Sequence, residues 1–182
     1  MIQYFWKDNF NLGGYMEFRK ATALDIDCIM KIIRQAQAYF KKNGINQWQN
    51  NYPNNETIKG DIGNGYGYVL EDRGEIIGTV AVSFDGEKTY DVIYDGEWLS
   101  SGEYAVIHRM AVDDVYKGRG LSSIIIKHIE NICLGRGVHS IKIDTHSENI
   151  SMQRLIKKND FKYCGIIYVE DKSARLAFEK IF

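Results

Sequence analysis

The stretch Arg109-Met110-Ala111-Val112-Asp113-Asp114-Val115-Tyr116-Lys117-Gly118-Arg119-Gly120-Leu121-Ser122 decides how this 182-residue chain is read. Before it, Tyr104–Val112 alternates as a strand. The alternation predicts that Val106, His108, Met110 and Val112 share one face while Ala105, Ile107, Arg109 and Ala111 share the other. After it, Leu121, Ile124, Ile125, His128, Ile129, Ile132 and Cys133 recur at helical spacing, and Gly135 and Gly137 stop the helix. The unit is therefore strand, glycine turn, helix. Gly118 and Gly120 permit positive φ and close approach of the backbone to a ligand. The helix start offers unpaired N–H groups and the positive end of its dipole, an arrangement suited to phosphate. Lys117 and Arg119 add positive charge, and Ser122 adds a hydroxyl. A turn built only for tightness would use the same two glycines, so the motif alone leaves both readings open. It is neither a nucleotide-triphosphatase loop nor a dinucleotide fingerprint, because the glycine spacing fits neither.

Outward from this turn the remaining elements follow. Glu17–Ala21 reads as a strand. Thr22 with Asp25 caps a helix carrying Ile26, Ile29, Met30, Ile33, Ala36 and Phe40, which Asn43-Gly44 end. A polar loop with Trp48 leads past Pro53, the one proline, to a short helix over Asn54–Ile62. Gly67–Glu71 and Glu75–Ser83 form a hairpin about Asp72-Arg73-Gly74. An irregular Tyr- and Gly-rich segment precedes Tyr104. Beyond the long helix come a strand over Val138–Thr145, a helix over Asn149–Lys158, and strands over Phe161–Val169 and Ser173–Ile181. The order β-α-α-β-β-β-α-β-α-β-β predicts an α/β sheet with helices on its faces.

Composition narrows the function classes. The net charge of −1, from 23 basic and 24 acidic residues, supplies no field for nucleic acid or an anionic membrane. No apolar run approaches the roughly 20 residues that span a bilayer. Cys28, Cys133 and Cys164 fit neither a disulfide framework nor a metal cluster and read as reduced core thiols, which points to a cytoplasmic protein; a nucleophilic Cys164 is the alternative. Residues 1–15 read as an N-terminal arm or alternative start, and 16–182 as one domain.

The quoted stretch resembles the central motif of the GNAT family of N-acetyltransferases. Asn149-Ile150-Ser151-Met152, with Leu155 and Phe161, is similar to that family's later segment. The resemblance spans about Met16–Phe182. It implies a mixed, mostly antiparallel sheet of six to seven strands with helices on both faces and two central strands splayed. It also implies acetyl-CoA as cofactor: Met110, Ala111 and Val112 along its pantetheine, Lys117, Gly118, Arg119, Gly120, Leu121 and Ser122 at its pyrophosphate, and Asn149 beside the pantetheine. The implied reaction moves an acetyl group to a primary amine, on a small molecule or a protein, by direct attack. The alternative is a non-catalytic acyl-CoA-binding or regulatory module of the same fold. Homodimers are common in such proteins.

Three departures matter. Val115 stands at a Gln/Arg position, Asp160 at a glycine position, and Ile156 where many members carry a tyrosine that protonates the leaving thiolate. Val106 stands where histone-type members have a basic glutamate. The catalytic candidates are then Met110, through its backbone N–H, and His108 and His146 as proton relays. His108 is otherwise a structural histidine, and His146 otherwise a loop cap. Arg109 and Asp144 either pair across adjacent strands or bind a charged acceptor. Trp48 and Tyr52 either wall the acceptor site or form an aromatic lid.

Overall fold

The computed structural model describes residues 16–182, so the arm expected over residues 1–15 lies outside it. Seven strands form one sheet: β1 (Met16–Lys20), β2 (Gly67–Asp72), β3 (Glu75–Ser83), β4 (Ala105–Val112), β5 (Ser140–Thr145), β6 (Lys162–Tyr168) and β7 (Ala174–Ile181). Their spatial order is β1-β2-β3-β4-β5-β7-β6. Every pairing is antiparallel except β4 with β5. The helices are α1 (Ile26–Lys42), α2 (Asn55–Gly63), α3 (Leu121–Gly135) and α4 (Ile150–Lys158).

The helices divide between the two faces because the sheet's side chains do. Tyr68, Leu70, Val80, Val82, Ile107, Met110, Ile141 and Ile143 pack with Leu121, Ile125, Ile126 and Ile129 of α3 and Ile156 of α4. Val69 and Ala111 pack on the other face with Ile29, Ile32 and Ile33 of α1 and Ile58 of α2. Ile129 is fully enclosed, and truncating such a side chain to alanine costs about 2–5 kcal/mol. The continuous isoleucine run in α3 is thus structural.

One expectation about β4 fails. Ala81 pairs with His108 but Thr79 pairs with Ala111, so Arg109 and Met110 together oppose Val80. This is a β-bulge, and Arg109 takes φ of 51° within it. An extra residue reverses the alternation. Met110 and Val112 therefore join Ala105 and Ile107 on the α3 face, whereas Val106, His108 and Ala111 lie on the α1 side. A strict period of two cannot register an inserted residue.

The segment between β3 and β4 is not free-running. It docks on β6 through the bridge Tyr94–Ile166. A Cβ on Gly165, which has φ of +146°, would meet the Tyr94 carbonyl oxygen at 2.5 Å. Only glycine allows that backbone-to-backbone approach. The cysteine expectation holds for Cys133 and Cys164, which are buried, and fails for Cys28, which is exposed on α1. Burial raises both buried thiols, Cys133 to about 12, so neither is a ready nucleophile at neutral pH.

Candidate active site

β4 and β5 run together only at Ala105–Ile141 and Val106–Lys142. Beyond that point they separate. The edge of β4 from Ile107 onward has no strand partner on this side among the described residues, and the split opens toward the N-terminus of α3. Backbone groups in such an edge require partners.

At the open end the chain turns through Asp114–Tyr116, where Asp113 accepts from Val115 N–H at 3.0 Å. Gly118 and Gly120 both take φ of 79°. The amides of Gly118, Arg119, Gly120, Leu121 and Ser122 make no hydrogen bond to the other described residues. Nothing lies within 4 Å of a Cβ built on either glycine, so the turn is an open cradle of free donors at a helix start. Lys117 is exposed and bridges to Asp114 at 2.5 Å, while the Arg119 guanidinium lies over the Tyr116 ring at 5.1 Å. Val115 is exposed, so the motif's substituted first position contributes backbone only.

At the far side of the split, Asn149 caps α4 by accepting from Met152 N–H at 3.1 Å. Its Nδ2 donates to Gln47 Oε1 in the α1–α2 loop at 2.9 Å. Thr145, the last residue of β5, is fully enclosed and its Oγ1 has no partner among the described residues. It shares the face of Ile141 and Ile143. An enclosed hydroxyl costs free energy unless something bonds to it.

The α1-side face of the split carries a polar group that sequence reading found only in part. His108 Nε2 lies 3.5 Å from Glu87 Oε2. Burial, reinforced by the Arg109 charge and opposed by Glu87, lowers the His108 pKa to about 4. Tyr90 Oη donates to Asp144 Oδ1 at 2.8 Å, and Arg175 stands 4.0 Å from the other Asp144 oxygen. Burial raises the Asp144 carboxyl and pushes the Tyr90 phenol well above its usual value. Glu87 comes from the irregular segment, where it caps the turn Lys88–Tyr90. No local pattern marked it, because its relation to His108 is purely tertiary.

The expected pairing of Arg109 with Asp144 does not occur. Arg109 Nε and Nη2 grip Asp61 of α2 at 2.7 and 2.5 Å, and Nη1 donates to Tyr52 Oη at 2.9 Å. The bulge turns Arg109 toward α2, away from β5. Trp48 takes φ of 56° and packs edge-on against Phe40, which anchors the loop bearing Tyr52. His146 sits in the β5–α4 turn, its Nδ1 3.2 Å from the donating Glu148 N–H, and it does not join His108, Glu87 and Asp144. Ile156 is fully enclosed in the α3-side core.

Split strands, a bulge beside them and a cradle of amides at a helix start form one open site on this α/β sheet. The sequence matches the model of the acetyltransferase (GNAT) family over residues 31–161, and the chain belongs to that family. Among solved structures, it resembles a GNAT-family acetyltransferase from Streptococcus agalactiae 2603 at 35% identity, with 92% of this chain and 95% of that chain covered and a TM-score of 0.85. An acetyltransferase from Staphylococcus aureus Mu50 is 27% identical over 90% of this chain and 97% of that one, with a TM-score of 0.68. An acetyltransferase from Clostridium acetobutylicum, solved with acetyl-CoA, shares the fold at 18% identity and a TM-score of 0.56, over 81% and 90% of the two chains. No curated protein matches. Among the described residues no helix is long and apolar enough to cross a membrane.

Proposed function

We propose that this protein transfers an acetyl group from acetyl-CoA to a primary amine. The observation that carries this reading is the run of five amides, Gly118 to Ser122, that make no hydrogen bond to the other described residues at the open end of the β4–β5 split. Bound acetyl-CoA would supply the activated acetyl thioester. The chain offers it matching partners: amides for pyrophosphate, the unpaired β4 edge for an amide-bearing arm, and the orphaned Thr145 hydroxyl deeper in.

The residues then divide the work. The backbone at Met110, freed from regular pairing by the bulge, offers the N–H donor for the developing oxyanion. His108 stays neutral at physiological pH because its pKa is about 4, so it has a lone pair available. Glu87 orients its Nε2 side and would stabilise the imidazolium once His108 takes the amine's proton. Low basicity is the cost of burial, and the Glu87 carboxylate offsets part of it. Thr145 Oγ1 is the donor that this chain offers where the tyrosine is replaced by Ile156. Tyr52, Arg109, Asp61 and Asp144 wall the acceptor side, and Glu87 and Asp144 favour an approaching ammonium. The acceptor is a primary amine on a small molecule or a protein, and the protein is read as cytoplasmic and as a homodimer.

The test is thiol release from acetyl-CoA across a panel of amines, with calorimetric titration of CoA in parallel. Turnover on at least one amine is expected. CoA binding without turnover would establish the non-catalytic module instead, and no CoA binding would overturn both readings.

A further inference from the structure

A second cavity, of about 490 Å³, lies on the α1-side face where β4 and β5 are still joined, lined in part by Trp98, Ser100, Ser101, Tyr104 and Lys142. Its volume is in the range of small-molecule sites, about 300–1,000 Å³. The Tyr90 ring also lines it, and the Tyr90 hydroxyl reaches Asp144, so this cavity sits behind the split.

Lys142 is its unusual member. The residue is 4% exposed, yet its ammonium makes neither a hydrogen bond nor an ion pair with the other described residues. It lies 3.9 Å from the Tyr104 ring centre and 4.3 Å from that of Trp98. The carboxylate placed to meet it is Glu179, its cross-strand partner on β7. Glu179 is committed elsewhere: it accepts from Leu99 N–H at 2.6 Å, Ser100 N–H at 3.3 Å, Ser140 Oγ at 2.6 Å and Ser100 Oγ. Among the described residues only Asp72 Oδ1 and Thr145 Oγ1 are fully enclosed without a partner. The Lys142 ammonium is therefore not sealed off and meets the cavity space. Two aromatic faces stabilise a buried cation in part, but they satisfy none of its three donors.

We infer that this cavity binds a small organic monoanion, a carboxylate carried on a flat apolar body, with the carboxylate on Lys142 Nζ and the body against the aromatic wall that Trp98 and Tyr104 form around that ammonium. The Ser101 hydroxyl at the cavity wall supplies a further donor. Asp91 at the rim repels additional negative charge, which selects a monoanion over a phosphorylated ligand. Desolvation lowers the Lys142 pKa, and an anion on the ammonium would relieve that cost.

The full-length protein is titrated with benzoate, benzamide and benzylamine, by calorimetry and by tryptophan fluorescence, with and without saturating CoA. Benzoate is expected to bind saturably, more tightly than benzamide by about tenfold or more, the worth of a charge-assisted hydrogen bond. CoA should not displace it, and K142R should retain binding that K142M loses. Equal binding of benzoate and benzamide, unchanged binding by K142M with its fold intact, or no saturable binding at millimolar concentration would each overturn the assignment. Displacement by CoA would place benzoate in the split and overturn it too. Since K142R keeps the charge, it reports on the site even if K142M fails to fold.

Discussion

Asn149, the cap of α4, donates from Nδ2 to Gln47 Oε1 at 2.9 Å, joining the start of α4 to the α1–α2 loop beside the β4–β5 split. Gln47 precedes Trp48 and Tyr52, so the bond also positions the loop that carries the acceptor wall.

Gln47→Ala should therefore disturb the acceptor more than the acyl donor. A neutral hydrogen bond contributes about 0.5–1.5 kcal/mol, so the amine KM is expected to rise by about threefold to tenfold. Steady-state kinetics in both substrates would check this; an effect confined to CoA would contradict it.

Gly120→Glu should abolish CoA binding measured calorimetrically. The position holds φ of 79° in open space, so a glutamate would bring both backbone strain and a carboxylate into the amide cradle. Gly120→Ala is the control. It carries the strain of about 1–2 kcal/mol for a left-handed non-glycine residue without the charge, and should weaken binding far less.

His108→Gln should remove an acid sensitivity of folding. The folded pKa of about 4 lies below the ordinary 6.5, so between these values the unfolded chain binds more protons and stability falls as pH falls. The full penalty, about 3 kcal/mol at most, is reached below pH 4. Asp144, raised by burial, contributes in the opposite sense, so the measurement is the difference in Tm between wild type and variant across pH 4–7. A constant difference would refute it.

Asp61→Ala should destabilise the fold by about 3 kcal/mol, since it strands the largely buried Arg109 guanidinium without its carboxylate. Chemical denaturation would measure it. Tyr52→Phe removes only the outer contact of Arg109 and should stay within about 1 kcal/mol.

Glu87→Gln should lower kcat by about tenfold to a hundredfold, because the imidazolium of His108 loses its counter-charge, while CoA affinity stays constant. His146→Ala, which alters only a turn contact with Glu148, should leave the pH–rate profile unchanged. The reverse pattern would move the proton-accepting role to His146.

Local sequence determined the element order, because hydrophobic period, caps and glycine stops act over a few residues. The turn at Lys117–Ser122 was legible for the same reason: φ of 79° at two glycines and a helix start are properties of consecutive residues. Asp160 could likewise be read as tolerating the left-handed conformation, which it adopts at φ of 66°. What only the tertiary structure decided is which side chains meet. The bulge at Arg109–Met110 exists because β4 must register with β3, and it moved Met110 and His108 to opposite faces and gave Arg109 to Asp61. Glu87 reaches His108, and Glu179 turns from Lys142 to the amides of Leu99 and Ser100, through chain segments whose approach no local period encodes.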